Sequence, residues 1–155
     1  MFSLLFPKTI DNTYRGQWLA LIFFVPVLLI KLMMGFNMGG FNPTIDVRSI
    51  LQDVDGVPLD TYSASAVTDL LFFTNAWGLG LFTIGLVGVI ALVRYRAMIP
   101  LAILLLTVEQ GGRKAMSVAE NGLGLGPDMS AADTVNWVLT IALLLALILS
   151  VIRRG

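Results

Sequence analysis

The sequence predicts an all-α integral membrane protein with four transmembrane helices and a small extracytoplasmic loop between the first two. Of its 155 residues, 57% are hydrophobic and 13% are charged, and the mean hydropathy is +0.86. Soluble domains are nearer half apolar and one quarter charged. The apolar residues are concentrated in runs of roughly 20, the length that a helix needs to cross a bilayer. We expect residues 1–155 to form one four-helix transmembrane domain.

The first span is predicted over residues 19–34. The preceding MFSLLF run is too short to cross a membrane and ends at Pro7, so we expect it to lie on the cytoplasmic leaflet. Trp18 marks the membrane interface. Pro26 lies inside the span, where neighbouring helices can satisfy the carbonyl group that it frees.

Residues 35–65 are predicted to form the outer loop, with a small hairpin in it. Asp55–Gly56 is a strong two-residue turn signal. The apolar positions of the hairpin are Val47, Ile50, Leu51 and Val54. Asp53, Asp55 and Gly56 fit a calcium loop in part, but its glutamate at the twelfth position is missing. A capped turn explains the same residues, and no metal site is predicted.

The second span is predicted over residues 67–93, which exceeds the length needed and implies a tilted or protruding helix. Small residues recur along it. They are Ala76, Gly80, Gly85 and Gly88. Small residues let helix backbones approach closely, so we expect these four to form a helix-packing strip.

The third span follows the basic turn VRYRAMIP and is predicted over residues 98–119. Pro100 is tolerated because it lies in the first helical turn. Asn121–Gly122 is a natural helix stop, and a glycine-rich link leads to the fourth span, residues 134–152. Asp133 is placed to cap this last helix and Trp137 to mark the interface.

Lysine and arginine are distributed unevenly among the connecting segments. The N-terminal segment, the turn between spans two and three and the C-terminal tail are basic. Their basic residues are Lys8, Arg15, Arg94, Arg96, Arg153 and Arg154. The two other loops carry aspartates, with Arg48 as their basic residue. Because cytoplasmic loops are enriched in Lys and Arg, both termini are predicted to be cytoplasmic in a bacterial-type inner (plasma) membrane.

The third span places charged side chains where apolar ones should continue. A rise of about 1.5 Å per residue from Met98 puts Glu109 roughly 16 Å deep, near the bilayer centre. Glu109 and Arg113 are four residues apart, in the favourable order for a helix ion pair, and Gln110 and Lys114 form a second such pair. The polar cluster predicted in this half of the membrane comprises Glu109, Gln110, Arg113, Lys114, Lys31, Asp69 and Asn75.

The sequence leaves two interpretations of the polar cluster open. In one, Glu109 and Arg113 neutralise each other while Lys31 and Lys114 extend to the outer headgroups. In the other, the cluster forms an outward-facing vestibule that binds an anionic or zwitterionic headgroup, a small solute or a partner helix. An anion is favoured because Lys31, Arg113 and Lys114 outnumber Glu109.

The sequence contains no cysteine and no histidine. This excludes disulfides, thiol redox chemistry, Cys/His zinc sites, His-ligated haem and His-activated nucleophiles. We therefore expect no cofactor and no enzymatic activity, but an accessory or ligand- or lipid-binding subunit. Its expected partners are membrane lipid and another membrane protein or a second copy, and not nucleic acid. The alternative is a small oligomeric transporter or channel with Glu109 as its ion-responsive group, followed by an enzyme that uses Glu109 as a base on lipid headgroups.

Overall fold

A computed structural model describes residues 2–122 and 131–152. Within these ranges the chain is helical and contains no β-strand, so the predicted all-α class is confirmed. The helices are α1 (Phe2–Leu5), α2 (Leu19–Met38), α3 (Val47–Ser49), α4 (Ala64–Val93), α5 (Ile99–Asn121) and α6 (Ala131–Ser150). Each of the four predicted spans falls on one of the long helices α2, α4, α5 and α6.

Three helices in the described part of the chain are long and apolar enough to cross a membrane: α2, α4 and residues Ala132–Ser150 of α6. Helix α5 has 23 residues, and at about 1.5 Å per residue it is long enough as well. It carries Glu109, Arg113 and Lys114 in its second half and is not among the three. What covers these side chains therefore decides where α5 can lie.

The predicted hairpin between the first two spans is wrong. Val47–Ser49 forms α3, Ile50–Val54 continues it as a π-helical turn, and Leu59–Thr61 forms a 3-10 turn. Asp46 starts the first of these because its carboxylate accepts a hydrogen bond from the Arg48 backbone N–H at 3.0 Å. Such a cap satisfies a backbone donor that a helix leaves unpaired at its N-terminus.

Val47 and Leu51 of this segment face a small core instead of a sheet, whereas Val54 is exposed. Val47, Leu51, Leu59 and Val67 are buried together. The turn at Gly56 is present, with φ +69°, and it lets the Val57 N–H donate to the Leu51 carbonyl at 2.9 Å. Glycine adopts this left-handed conformation at little cost.

The chain divides into two compact units. One consists of the described parts of Met1–Leu28 and Val87–Gly155, and the other is Leu29–Leu86. Helices α2 and α4 contribute residues to both units. Helices α5 and α6 lie wholly in the first.

Glycine lets α2 and α4 touch backbone to backbone within the second unit. A Cβ added to Gly78 would overlap the backbone of Met38 and Gly39. A Cβ added to Gly35 would lie 2.5 Å from the backbone nitrogen of Phe82. No side chain fits at either position without moving a helix.

The predicted strip of small residues is divided between two faces of α4. Gly85 packs against Leu32 in the second unit, and Gly88 packs against Leu28 in the first. Ala76 and Gly80 are exposed instead, and a Cβ added to Gly80 would meet no atom within 4 Å in the part of the chain that the structure describes. The physical reason is the helical period: two residues correspond to about 200° of rotation, so Gly80 points away from the face that Gly78 occupies.

Candidate functional site

The polar residues of α5 meet a polar face of α6 within the first unit. We call this contact the α5–α6 seam. It consists of Glu109, Gln110, Arg113 and Lys114 on α5 and Asp133, Asn136, Trp137 and Thr140 on α6. The α6 residues recur at i, i+3, i+4 and i+7, which places them on one side of a helix.

Gln110 forms the buried centre of the seam and is 1% exposed. Its Nε2 donates to the Asn136 carbonyl at 3.1 Å and to the Thr140 hydroxyl at 3.2 Å. The Thr140 hydroxyl in turn donates to the Asn136 carbonyl at 2.7 Å. Hydrogen bonds of this kind remove the cost of burying an amide in an apolar environment.

Arg113 joins the centre of the seam to its edge. Its Nη2 donates to Gln110 Oε1 at 2.7 Å, and its Nε donates to Glu109 Oε1 at 3.3 Å. The predicted contact between Glu109 and Arg113 is therefore present. The Glu109 side chain is 13% exposed and the Arg113 side chain 35% exposed, so the ion pair lies at the border of the seam and not at its centre.

Lys114 occupies a closed position at the other end of the seam. Its side chain is 7% exposed, and its Nζ lies 3.4 Å from Asp133 Oδ1 and 4.8 Å from the centroid of the Trp137 ring. A carboxylate and an aromatic face both stabilise a buried ammonium group. The expectations that Lys114 extends to headgroups and pairs with Gln110 along α5 are wrong, because both side chains reach across to α6.

The start of α6 differs from the predicted one. The helix begins at Ala131, so Asp133 lies in its first turn and not at its cap. Trp137, which the sequence predicts to mark the membrane interface, packs over Lys114. In these positions Asp133 and Trp137 both stabilise the buried ammonium group of Lys114 on α5.

The charges of the seam are balanced. Arg113 and Lys114 face two carboxylates, Glu109 and Asp133. The predicted preference for an anion rested on three cations facing one glutamate, and it does not hold for the seam because α6 supplies the second carboxylate.

The other predicted members of the polar cluster lie in the second unit. Lys31 is fully buried there. Asp69 and Asn75, both on α4, are exposed. The seam thus brings together four of the seven predicted residues: Glu109, Gln110, Arg113 and Lys114.

Gly111 and Gly112 lie in the middle of α5, which continues through them without a break. A Cβ added to either glycine would meet no atom of the described residues within 4 Å. The Gly-Gly step therefore provides neither a kink nor a close helix contact within the first unit.

No protein-family model, curated protein or solved structure matches this chain. Its function is therefore inferred from the site alone.

We expect Glu109→Gln and Arg113→Gln to be coupled in their effects on stability. Removing one member of a paired couple leaves the other without its partner in a region of low dielectric, whereas removing both does not. In a double-mutant cycle of unfolding in detergent, the double variant should be more stable than the sum of the single losses implies, by roughly 0.5–3 kcal/mol. Additive losses would show that Gln110 and Asn136, not Glu109, hold Arg113 in place.

Proposed function

We propose that this chain is a four-span protein of a bacterial-type inner (plasma) membrane that acts as a non-enzymatic accessory or ligand-binding subunit. Both termini are assigned to the cytoplasm because the basic segments precede span one, join spans two and three and follow span four. The acidic loops then face outward. The α5–α6 seam is the site proposed for the ligand or partner.

The observation that carries this proposal is the cover that α6 gives to α5. A charged helix can cross a bilayer when its polar groups are satisfied inside the protein. Gln110, Arg113 and Lys114 all donate hydrogen bonds to α6 residues. In the described residues, every buried side-chain nitrogen and oxygen atom has a hydrogen-bond partner. The cover by α6 supports α5 as a transmembrane span, in addition to α2, α4 and α6.

The edge of the seam is the part that a partner could reach. Arg113 is 35% exposed and Asp133 is 39% exposed, so one group of each charge borders the closed centre. Gly112 is exposed one residue before Arg113 and leaves the helix backbone accessible. A balanced, partly open pair of charges beside a bare helix backbone suits the polar groups of another transmembrane helix better than a free anion.

Co-purification in a mild detergent followed by native mass spectrometry tests this proposal. We expect a foreign membrane protein at fixed stoichiometry with the wild type, and its loss with Arg113→Gln. The control is Arg48→Gln, because Arg48 is an exposed cation in the second unit and should not affect the partner. A protein that purifies alone in every case contradicts the accessory function.

A small oligomeric transporter or channel is the second candidate. It is favoured by the position of Glu109, a partly exposed carboxylate in the middle of a long helix. Gly111 and Gly112, which follow it closely, have no side chains. Proton or cation flux in liposomes should then appear in a homo-oligomer and disappear with Glu109→Gln. Flux that persists in this variant removes Glu109 from that role.

A further inference from the structure

The first unit contains an open cleft of about 450 Å³ that lies apart from the α5–α6 seam. It forms where the N-terminal segment meets the start of α2, the end of α4 and the start of α5. Its apolar walls are Leu21, Leu92 and Ile99. The volume lies in the range of pockets that hold small ligands.

The N-terminal segment that closes one side of this cleft is fixed to the rest of the unit. The Ala97 N–H donates to the Asp11 carbonyl at 3.2 Å, and the Gln17 N–H donates to the Leu149 carbonyl at 3.2 Å. Gly16 lies against Ser150, where a Cβ would come within 2.5 Å of the Ser150 carbonyl oxygen. The cleft is therefore built before a ligand arrives, which lowers the entropic cost of binding.

Local hydrogen bonds hold the polar side of the cleft in one arrangement. The Tyr14 hydroxyl donates to the Gln17 carbonyl at 3.1 Å, and burial raises the pKa of Tyr14 to about 12. The backbone N–H of Thr13 donates to the Asp11 carboxylate and lowers the pKa of that group, with Arg15 acting in the same direction. Asp11 is therefore engaged with its own segment, and Tyr14 stays neutral.

Arg96 is the cation of the cleft. It is exposed and donates its Nε–H to the Leu92 carbonyl at 3.3 Å. No carboxylate pairs with Arg96 within residues 2–122 and 131–152. A guanidinium group matches the geometry of a phosphate and binds it through charge-assisted hydrogen bonds.

The rest of the lining consists of Asn12 and Thr13 and of two aromatic residues that suit a membrane surface. Trp18 and Tyr14 border the cleft, and their ring systems combine an apolar body with a polar edge. The cleft thus has an apolar wall, an aromatic border and one cation whose charge is not cancelled nearby. A phospholipid presents the matching sequence of acyl chain, glycerol and phosphate.

We propose that this cleft binds one anionic phospholipid, with Arg96 on the phosphate and Leu21 and Leu92 along the upper acyl chain. The proposal rests on the membrane placement given above, which puts the basic ends of the helices at the cytoplasmic leaflet. It does not require an accessory function. Soluble phosphate offers the same group to Arg96, so the experiment must separate the two sources.

Lipid titration followed by native mass spectrometry tests the cleft directly. The probes are phosphatidylglycerol and phosphatidylcholine, added to the purified chain in a mild detergent. We expect one phosphatidylglycerol to bind in preference to phosphatidylcholine, because the choline ammonium group of the latter cancels the charge of its phosphate. Arg96→Gln should weaken phosphatidylglycerol binding about tenfold, because a charge-assisted hydrogen bond is lost. Arg94→Gln is the matched control: Arg94 is an equal charge two residues away that stacks on Tyr95 and does not line the cleft.

Equal losses from Arg96→Gln and Arg94→Gln would mean general attraction to the basic turn, and no loss from either would mean that the lipid binds elsewhere. Both outcomes overturn the proposal. Leu92→Phe narrows the cleft at its apolar wall. It should weaken the binding of the lipid and leave the binding of inorganic phosphate unchanged. Displacement of the lipid by inorganic phosphate alone would assign the cleft to a soluble ligand. A chain that has no protein partner but keeps the Arg96-dependent lipid contradicts the accessory function and leaves this inference intact.

Discussion

Replacing Gly78 by alanine should destabilise the protein strongly, whereas replacing Gly80 by alanine should not. A methyl group on Gly78 would overlap the backbone of Met38 and Gly39. A flexible side chain could relieve such an overlap by changing its rotamer, but a helix backbone cannot. Overpacking a tight contact costs roughly 1–3 kcal/mol, and we expect the upper end or more where the obstacle is another helix. Unfolding midpoints measured in one detergent would check this.

Gly80 is the matched control because it lies on the same helix, two residues away. Among the described residues, no atom lies within 4 Å of a Cβ built at this position. Alanine favours the helix over glycine by about 1 kcal/mol at most, so Gly80→Ala should be neutral or slightly stabilising. If Gly80→Ala were as damaging as Gly78→Ala, the exposed face of α4 would be covered by a second copy or another protein. If both were silent, the contact between α2 and α4 in the second unit would be wrong.

Replacing Asp133 by asparagine should have the second largest effect, because it leaves the buried ammonium group of Lys114 without its carboxylate. Breaking a fully buried ion pair costs roughly 3–5 kcal/mol. Asp133 is 39% exposed, and the Trp137 ring continues to face the ammonium group, so we expect about half of that cost. The loss should appear in the free energy of unfolding in detergent.

A second substitution distinguishes loss of the pair from loss of packing. Lys114→Met keeps the length of the side chain and removes the charge that Asp133 compensates. In the Lys114→Met background, Asp133→Asn should cost little, because no buried charge remains to be stranded. An undiminished cost in that background would show that Asp133 acts on the first turn of α6 and not through Lys114.

The helices could be predicted from the sequence because a membrane imposes one simple requirement. Long apolar runs must be helical to satisfy their backbone groups, and α2, α4 and α6 follow that rule. The segment after α2 follows a different rule, because it lies outside the long apolar runs. The positions of Val47, Ile50, Leu51 and Val54 repeat at i, i+3, i+4 and i+7, which is a helical and not a strand period.

Only the α5 residues of the α5–α6 seam could be predicted from the sequence, because α5 carries the unexpected charges. Glu109, Gln110, Arg113 and Lys114 stand out because they interrupt an apolar run. Their partners on α6 do not, because Asn136 and Thr140 are common residues near the end of a span. Their spacing with Asp133 and Trp137 was the available signal, since it puts four polar or aromatic side chains on one face.

The sequence predicts that small residues of α4 pack closely against another helix, but it does not predict which of them make the contact. Small residues do allow the close contact, but a list of glycines does not reveal which face meets a neighbour. Gly78 makes a backbone contact although it is not part of the predicted strip, and Gly80 meets no neighbour within residues 2–122 and 131–152. Only the position of the α2 backbone decides between two glycines that are two residues apart.

We propose that α5 crosses the membrane under the cover of α6, so that the chain has four spans and not three. The sequence has no cysteine, so single cysteines can be labelled without a background. Tyr95→Cys and Ala132→Cys flank α5, and both positions are exposed. Ser49→Cys, in the acidic loop after α2, is the reference for the outer side.

A membrane-impermeant maleimide, applied to intact cells and then to permeabilised cells, reports the side on which each cysteine lies. We expect Ser49→Cys and Ala132→Cys to react on intact cells, and Tyr95→Cys to react only after permeabilisation. The reverse pattern at all three positions would overturn the orientation and keep the four spans. Labelling of Tyr95→Cys and Ala132→Cys from the same side would contradict the claim that α5 crosses the membrane.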